Sequence, residues 1–326
     1  MTGMLEHYPI DGSKLEAPVL VTGAAGCIGS WVLALLERAS VPAVAFDLSE
    51  DKRRPALLID RPALDRIPWV TGDIGDTAAV HRVVEDHGIR SIVHLAGLQV
   101  PFCAADPVAG ARVNVLGTVN VFEAARRAGI RRLAYASSIA ALSFIGEAPW
   151  LKTLYGAYKL CDETVAAVYG EQMGVPSVGI RPGVVYGVGR DQGMTSKTTV
   201  ALLAAAAGRP FTIPFTGPVS ALHAGEVAAA FIVSVAAERA GAPVFDLNGR
   251  ATTVEAWLRL TREIAPDARI TAEGPALPFP ADLSDEPLKA YIGDYGQPPL
   301  DLGMRATFDA FRALLDANRI AFDPAA

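Results

Sequence analysis

A tyrosine and a lysine stand four residues apart in the segment YGAYK, at Tyr155 and Lys159. The segment opens a helix predicted over 155–173, and this spacing places both side chains on one face of it. A nearby ammonium stabilises a tyrosinate and lowers a phenol pKa that is ordinarily about 10. Such a tyrosine can exchange a proton with an alcohol or ketone near neutral pH. The pair therefore predicts acid–base chemistry at a carbon–oxygen bond, with an ordinary amphipathic helix pair as the alternative.

Ser138 is a third candidate, just after a strand predicted over 132–136. Its hydroxyl is available to hydrogen-bond the same substrate oxygen, although a serine at a strand end is more often a capping residue. Tyr158 is a rival for the role of Tyr155, but no lysine lies four residues after it. Because no side chain carries a hydride, oxidation of an alcohol here would require a nicotinamide cofactor.

Three glycines, Gly23, Gly26 and Gly29, lie in VLVTGAAGCIGS at 19–30, between an apolar run and a helical apolar pattern. A strand, a tight glycine turn and a helix in this order are typical of a dinucleotide site. The first glycine permits a sharp turn, the second lets a pyrophosphate approach the main chain, and the third brings the helix close to the sheet. The N–H groups that begin the helix would hold the phosphate charge. A glycine turn without a ligand is the alternative for this motif alone.

Asp47 follows a second apolar run at 42–46. It stands roughly twenty residues after the glycine turn, where a carboxylate accepts hydrogen bonds from an adenosine ribose. The same charge would repel a 2′-phosphate, so the predicted cofactor is NAD. Lys52, Arg53 and Arg54 lie close by and leave NADP as the less favoured cofactor. A solvated acid at a strand end is the structural alternative.

The composition is that of a folded chain with a sizeable core, since 51% of the 326 residues are hydrophobic and 20% are charged. A net charge of −6 and a pI of about 5.4 argue against nucleic acid as the main partner. Cys27, Cys103 and Cys161 are widely separated, so we expect no metal site and a reducing compartment. The polar N-terminal segment lacks the apolar core of a signal peptide, and no apolar stretch is long enough to cross a membrane. We therefore expect a cytoplasmic protein without a membrane partner.

Strands and helices alternate up to Gly187, with short connections. Further helices are predicted over 77–86 and 107–128, and further strands over 69–74, 91–95 and 176–180. This alternation predicts an α/β fold with a Rossmann-type, doubly wound parallel sheet and helices on both faces. Ligands of such sheets bind at the carboxyl ends of the strands. Five candidate residues follow predicted strands and should gather at that edge: Asp47, Asp73, Gly97, Ser138 and Arg181.

The pattern changes after Gly187. Helices are predicted over 198–207, 225–238, 253–264 and 307–318, strands over 244–248 and 268–271, and irregular chain over the proline-rich 275–298. We therefore divide the chain into an NAD-binding domain at 1–187, with 1–17 as an N-terminal extension, and a smaller α+β substrate-binding lid at 188–326. Whether the two share part of the sheet core stays open at this point. Their interface would form the substrate cleft.

Together these motifs make the chain similar to the extended short-chain dehydrogenases/reductases, in the NAD-dependent epimerase/dehydratase family. The resemblance covers residues 18 to about 270. It is carried by TGAAGCIG (22–29), FD (46–47), GDI (72–74), HLAG (94–97), NVLGT (114–118), ASS (136–138), YGAYK (155–159) and RPGVVYG (181–187).

The resemblance implies a Rossmann domain and a catalytic set of Ser138, Tyr155 and Lys159. It also implies a homodimer formed through the two long helices near 108–128 and 155–173. The residues that it assigns to NAD binding are Gly23, Gly26, Cys27, Ile28, Gly29, Asp47, Asp73, Ile74, Leu95, Ala96, Gly97, Gln99, Tyr155, Lys159 and Pro182.

The chain departs from relatives that act on nucleotide sugars, which usually have an asparagine two or three residues after the arginine at 181. The usual aspartate after the lid histidine is also replaced, by Glu226 in LHAGEVA, and the lid lacks an evident basic set for a diphosphate. The chain is more similar to the branch that oxidises small polyols, sugar acids or uronates. Arg190 is suited to clamp a substrate carboxylate, with a solvated loop arginine as the alternative. We expect His223 to be structural and leave it outside the site.

These features predict an NAD-dependent dehydrogenase of carbohydrate metabolism, which oxidises a secondary alcohol of a sugar-like, sugar-acid or polyol substrate. The first alternative is an epimerase or dehydratase that retains NAD and returns the hydride. The lower alternative is a non-catalytic NAD-sensing regulator; such relatives usually lose the tyrosine or lysine that this chain keeps.

Overall fold

The computed structural model describes residues 2–147 and 150–323. Its strands are β1 (Val19–Thr22), β2 (Ala43–Asp47), β3 (Trp69–Thr71), β4 (Ser91–His94), β5 (Leu133–Ala136), β6 (Val178–Pro182), β7 (Val185–Tyr186), β8 (Phe211–Ile213), β9 (Pro218–His223), β10 (Val244–Leu247), β11 (Arg250–Thr253) and β12 (Ile270–Ala272).

The α-helices in the same residues are α1 (Thr2–Leu5), α2 (Cys27–Arg38), α3 (Arg53–Leu58), α4 (Arg61–Leu64), α5 (Thr77–Asp86), α6 (Val100–Ala105), α7 (Pro107–Ala111), α8 (Gly117–Ala128), α9 (Leu154–Gln172), α10 (Lys197–Ala206), α11 (Ala224–Ser234), α12 (Val254–Ile264), α13 (Glu286–Ile292) and α14 (Leu300–Asp316). Gly12–Lys14 and Ile139–Phe144 are 3₁₀ turns, and Arg112–Leu116 is a π-helical turn between α7 and α8.

Seven strands form one sheet in the order β10-β6-β5-β4-β1-β2-β3, and every neighbouring pair is parallel. The chain moves outward from β1 to β3, then returns to β4 beside β1 and continues to the opposite edge. The order therefore reverses between β1 and β4, and the carboxyl ends of these strands border a crevice. This sheet confirms the predicted Rossmann-type, doubly wound fold.

The central strands are buried along their length because both faces of the sheet are covered, and most of their residues are apolar. Val19, Leu20 and Val21 of β1 are fully buried, as are all four residues of β4. Helices α2 and α11 pack together on one face, while α5, α8 and α9 supply the core of the other face. Buried strands of this kind read as continuous apolar runs rather than alternating ones.

The segment after Gly187 adds a strand to the main sheet. β10 pairs with β6 in parallel, with Val244 opposite Gly179. Among the described residues, the rest of this segment forms helices α10 to α14, the small sheet β12-β8, and strands β9 and β11 of a second small sheet, β11-β9-β7, whose β7 precedes Gly187. The division at residue 187 therefore falls between strands that lie side by side in one sheet.

Several element boundaries differ from the sequence predictions. Strand β3 ends at Thr71 rather than at 74, and the helix predicted to end at 238 ends at Ser234. The stretch 275–298 was predicted to be irregular but contains α13, whose Leu288 and Ile292 are buried. The closing helix starts at Leu300 instead of 307. Tertiary burial extends these last two helices beyond what proline and local propensity suggest.

The helix predicted from 107 onward contains a π-helical turn, which local sequence did not predict. It ends at Gly129, whose φ of 66° lies in the left-handed region that favours glycine. Within the described residues, no helix is both long enough and apolar enough to cross a bilayer.

The N-terminal extension packs into the core. Tyr8 is buried, its ring stacks on His223, and its hydroxyl donates to His223 Nδ1 at 2.6 Å. Gly225 N–H also donates to Nδ1, so this nitrogen is an acceptor and the histidine is neutral. Burial lowers the pKa of His223 to about 3. These contacts support the expectation that His223 is structural.

Glu226, in the first turn of α11, is only 2% exposed, and burial raises its pKa to about 7. Its folded pKa lies above its unfolded value, so the folded state binds more protons between pH values of about 4.5 and 7. The free energy of unfolding therefore falls as pH rises through this window. Glu226→Gln removes the effect and should stabilise the protein at pH 8 by about 2 kcal/mol, but not at pH 4.5.

Urea unfolding of both proteins at the two pH values measures this difference. Gln297 Nε2 donates to the Glu226 carboxylate at 3.2 Å, and the substituted amide oxygen is able to accept the same hydrogen bond. A variant that is less stable than wild type at pH 8 contradicts the prediction.

Candidate active site

A cavity of about 580 Å³ lies along the carboxyl edge of the main sheet, where the strand order reverses. It is bordered by the segments that follow β1, β2, β3, β4, β5 and β6. The structure brings every residue of the predicted site to this one cavity: Gly23, Gly26, Cys27, Ile28, Gly29, Asp47, Asp73, Ile74, Leu95, Ala96, Gly97, Gln99, Ser138, Tyr155, Lys159 and Pro182.

The glycine turn after β1 is shaped by close backbone packing. Gly23 has a φ of 68°, and a Cβ there would lie 2.7 Å from the nitrogen of Ala96. A Cβ on Gly29 would collide with the carbonyl oxygen of Gly23. Helix α2 begins at Cys27, and its N-cap, Gly26, has no side chain to cap the first N–H groups. These N–H groups therefore face the cavity without an intrahelical partner, as an anion site requires.

Asp47 connects the end of β2 to the glycine turn. Its Oδ2 accepts a hydrogen bond from the Ala25 N–H at 2.9 Å, and its Oδ1 accepts one from the Leu48 N–H at 2.8 Å. Burial raises the pKa of this carboxyl, and the backbone N–H groups oppose the rise. Each carboxylate oxygen has a second lone pair, so Asp47 is able to accept hydroxyl protons from a ligand as well.

Asp73 has partners of its own. Its Oδ1 accepts from the Gly75 N–H at 2.7 Å, and its Oδ2 forms an ion pair with Arg112 at 2.7 Å. These contacts fix the loop after β3 at the cavity wall. Asn114, in the π-helical turn, similarly holds the loop after β4, because its side-chain amide accepts from the Leu98 N–H and donates to the Leu98 carbonyl.

Tyr155 and Lys159 lie in the first turns of α9, which begins at the N-cap Thr153. The Lys159 ammonium lies 6.0 Å from the centroid of the Tyr155 ring and donates to the Ala136 carbonyl at 2.7 Å. Burial would lower the pKa of Lys159, but Asp162 and Tyr155 more than offset burial and raise it. A positive charge is thus held beneath the tyrosine.

Ser138 caps the 3₁₀ turn that follows β5. Its hydroxyl oxygen accepts from the Ala140 N–H at 3.2 Å, which leaves the hydroxyl proton as a donor at the cavity wall. The capping role and the predicted substrate contact are therefore compatible.

Arg181 opens the motif RPGVVYG and was expected at the same edge, but it is not among the residues that line the cavity. It donates two bonds to Glu163 of α9, at 2.7 and 2.6 Å, and one to Asp246 of β10, at 3.2 Å. This network ties α9, β6 and β10 together beside the site.

Two further arginines border the cavity. Arg54 pairs with Asp191 at 2.7 Å and donates to the Ala25 carbonyl at 3.2 Å. Arg190 donates to the Thr195 hydroxyl at 3.2 Å, and its buried Nε has no hydrogen-bond partner among the described residues. Of these two guanidinium groups, only that of Arg54 is neutralised by a carboxylate within ion-pair distance in the described chain.

Sequence reasoning did not identify Asp162, which contacts Lys159, or the pairing of Arg54 with Asp191. The spacing of three residues between Lys159 and Asp162 is a usable local signal for their contact on a helix. Met194, Thr195 and Phe279 also line the cavity, and no local motif marks them, because only the tertiary fold brings them there.

The family model of the NAD dependent epimerase/dehydratase family matches residues 19–248. The chain therefore belongs to this family, whose cofactor is NAD. The site fits that cofactor, since the glycine turn leaves room where a Cβ would collide and a carboxylate follows β2.

Two curated relatives illustrate the range of activities in the family. A UDP-glucose 4-epimerase of Azospirillum brasilense is 34% identical over 179 residues, which cover 52% of this chain and 50% of that protein. A uronate dehydrogenase of Pseudomonas putida is 32% identical over 174 residues, covering 51% of this chain and 60% of that protein. The matched segments thus span only about half of this chain and of the first relative.

Solved structures agree with the fold over nearly the whole chain. A UDP-glucose 4-epimerase of Thermus thermophilus in complex with NAD has a TM-score of 0.70 at 25% identity and covers 90% of this chain and 98% of its own. A UDP-glucose 4-epimerase of Thermotoga maritima has a TM-score of 0.77 at 21% identity, covering 91% and 99%. At such identities the likeness establishes the fold and not the substrate.

Gly29→Ala should weaken NAD binding at least tenfold and destabilise the fold by about 2 kcal/mol, because the added methyl forces α2 away from the glycine turn. Calorimetric titration with NAD and urea unfolding measure the two effects. Gly3→Ala is a matched control, since a Cβ on Gly3 meets nothing within 4 Å. NAD binding by the Gly29 variant at wild-type strength would refute this account of the turn.

Proposed function

We propose that the protein is an NAD-dependent dehydrogenase that oxidises a secondary alcohol of a sugar acid or a related polyhydroxylated compound. The observation that carries the proposal is the shared cavity: Ser138, Tyr155 and Lys159 line the same space as the glycine turn. A cofactor whose pyrophosphate is held by that turn would then accept a hydride from a substrate carbon, while a proton acceptor on α9 meets the oxygen on that carbon.

In this proposal Tyr155 is the general base and receives the alcohol proton on its phenolate oxygen. Lys159 stabilises the phenolate, because its ammonium lies 6.0 Å from the ring centroid and is screened from water. Ser138 donates a hydrogen bond to the substrate oxygen and orients it. Bound NAD⁺ supplies the acceptor for the hydride that leaves the same carbon as the ketone forms.

The cofactor-binding roles are proposals of the same kind. Cys27 and Ile28 would meet the pyrophosphate through their N–H groups, and Asp47 would accept the hydroxyls of the adenosine ribose. Asp73 and Ile74 would flank the adenine, and Pro182 would lie near the nicotinamide. The middle of the cofactor would contact Leu95, Ala96, Gly97 and Gln99. Residues 188–326 would act as the substrate-binding part, and the homodimer and cytoplasmic location also stay predictions.

The arginine at position 190, which lines the cavity, supports an acidic substrate. Lys159 and Arg54 each have a carboxylate within ion-pair distance, whereas the Arg190 guanidinium has none among the described residues. A planar guanidinium binds a carboxylate through two parallel hydrogen bonds. The 32% identical relative from Pseudomonas putida is a uronate dehydrogenase, which is consistent with this substrate class.

An epimerase that retains NAD is the second candidate. It is favoured by the relative from Azospirillum brasilense, a UDP-glucose 4-epimerase that is 34% identical to this chain over 179 residues. The two candidates differ in their products, because a dehydrogenase releases NADH and an epimerase returns the hydride to its substrate.

A substrate screen for NADH absorbance decides between them. With NAD⁺ we expect NADH from uronates or aldonates at a higher kcat/KM than from neutral aldoses or polyols. Tyr155→Phe should lower turnover about a hundredfold or more and leave the Kd for NAD nearly unchanged. Interconversion of a UDP-sugar without NADH would replace the dehydrogenase proposal with the epimerase.

Asp47→Ala should raise the Kd for NAD about tenfold or more, because the ribose loses hydrogen bonds to a charged acceptor. Discrimination against NADP should fall, since the repelling charge is gone. Asp47→Asn is the matched control, because its amide oxygen can still accept from Ala25 while the charge is absent. An unchanged NAD to NADP ratio of kcat/KM in both variants would remove Asp47 from the ribose site.

A further inference from the structure

Asp162 lies three residues after Lys159 on the buried face of α9. Its side chain is fully shielded from solvent, and Lys159 is 4% exposed. The Lys159 ammonium donates to Asp162 Oδ2 at 3.2 Å, whereas Oδ1 is buried with no hydrogen-bond partner among the described residues. A buried carboxylate with one oxygen unsatisfied is costly, so this aspartate needs an explanation beyond packing.

Among the described residues, Asp162 is the one carboxylate within ion-pair distance of the Lys159 ammonium. Glu163, the next residue on α9, pairs with Arg181 of β6 instead. His94 of β4 is neutral, because burial lowers its pKa to about 3. The other polar or titratable groups that face the Lys159–Asp162 pair are Tyr155 and Cys161 on α9, Thr118 on α8, Tyr135 on β5 and Cys103 on α6.

The neutrality of His94 also follows from the hydrogen bonds around it. Thr22 Oγ1 accepts from the N–H groups of Leu95 and Ala96, so its own proton goes to His94 Nδ1 at 2.7 Å. The proton of the imidazole is then on Nε2, which faces the Thr118 hydroxyl at 3.2 Å. The uncharged side chains of Thr22, His94 and Thr118 therefore supply no charge to balance the ammonium.

The Ala136 carbonyl already fixes the position of the Lys159 ammonium, at 2.7 Å. The Asp162 carboxylate is needed instead to keep this ammonium charged. Burial favours a neutral amine at Lys159, and the Asp162 carboxylate is the first influence that opposes this and keeps the pKa raised. Burial in turn raises the pKa of Asp162 to about 6, against the lowering effect of Lys159. Each group therefore favours the charged form of the other.

We propose that Asp162 is a positioning residue that keeps the Lys159 ammonium charged beneath Tyr155. This inference rests on the proposed function, since it assigns Asp162 a part in supporting the Tyr155 phenolate. It predicts that the Asp162 carboxylate sets the upper limit of the pH range in which the enzyme is active. Above that limit Lys159 loses its proton and no longer stabilises the Tyr155 phenolate.

Asp162→Asn keeps the shape of the side chain and removes its charge. The alkaline limb of the kcat/KM profile should move to lower pH by at least about one unit, with the Kd for NAD little changed at pH 7. Glu163→Gln is the matched control, because it removes the same charge from the adjacent, buried residue that pairs with Arg181. We expect it to leave the alkaline limb in place. An unmoved limb in the Asp162 variant, or an equal shift in both variants, overturns the proposal.

A second measurement does not depend on turnover. The chain has six lysines, so the Lys159 Cε signal of ¹³C-lysine-labelled protein can be identified by comparison with Lys159→Arg. With NAD bound, the wild-type Lys159 midpoint should lie above that of an exposed lysine, and it should fall by about one unit or more in Asp162→Asn.

The outcomes separate the two proposals. A fall in the Lys159 midpoint without any detectable hydride transfer would support the role of Asp162 while the proposed function fails. An active enzyme whose midpoint is equal in both proteins would overturn the role of Asp162 alone. If Asp162→Asn does not fold, the wild-type titration decides, because a midpoint below that of an exposed lysine is incompatible with a carboxylate that holds the charge.

Discussion

The site depends on keeping one positive charge in a place that water does not reach. Moving an ammonium from water into a protein interior costs several kcal/mol unless charges and hydrogen bonds replace its hydration. At Lys159 that replacement comes from the Ala136 carbonyl and the Asp162 carboxylate. The first acceptor is supplied by a strand of the sheet and the second by the same helix. The ammonium has both acceptors only when α9 packs against β5. The site therefore forms only as the fold is completed.

A second, partly buried network lies one residue further along α9. Arg181 lies between Glu163 and Asp246, so β6, β10 and α9 are joined through charge-assisted hydrogen bonds. β10 belongs to the segment after Gly187. This later segment therefore also supports the position of α9, which carries Tyr155. The charge of Arg181, which belongs to a family motif, is therefore already balanced by two carboxylates of the protein.

Local spacing was enough to predict the parts of the site that local backbone geometry creates. Short sequence patterns mark the glycine turn, the Tyr155–Lys159 pair and the carboxylate after β2. The parallel sheet then brings these three features together. The residues that these side chains contact were harder to predict from the sequence. Arg54 and Asp191 are 137 residues apart, and α13 is stabilised by the burial of Leu288 and Ile292 rather than by helix propensity. The π-helical turn at Arg112–Leu116 has no compositional signature, although Asn114 uses it to hold the loop after β4.

The contacts of Arg54 link the two ends of the cavity. Its guanidinium donates to the Ala25 carbonyl in the glycine turn and pairs with Asp191 in the loop that also carries Arg190. That loop is further attached to α2, because the Trp31 indole donates to the Val188 carbonyl at 2.9 Å. The elements that would bind the cofactor therefore also set the position of Arg190. The contacts that hold the glycine turn and the contacts that place the guanidinium proposed to meet a substrate carboxylate therefore form one connected set.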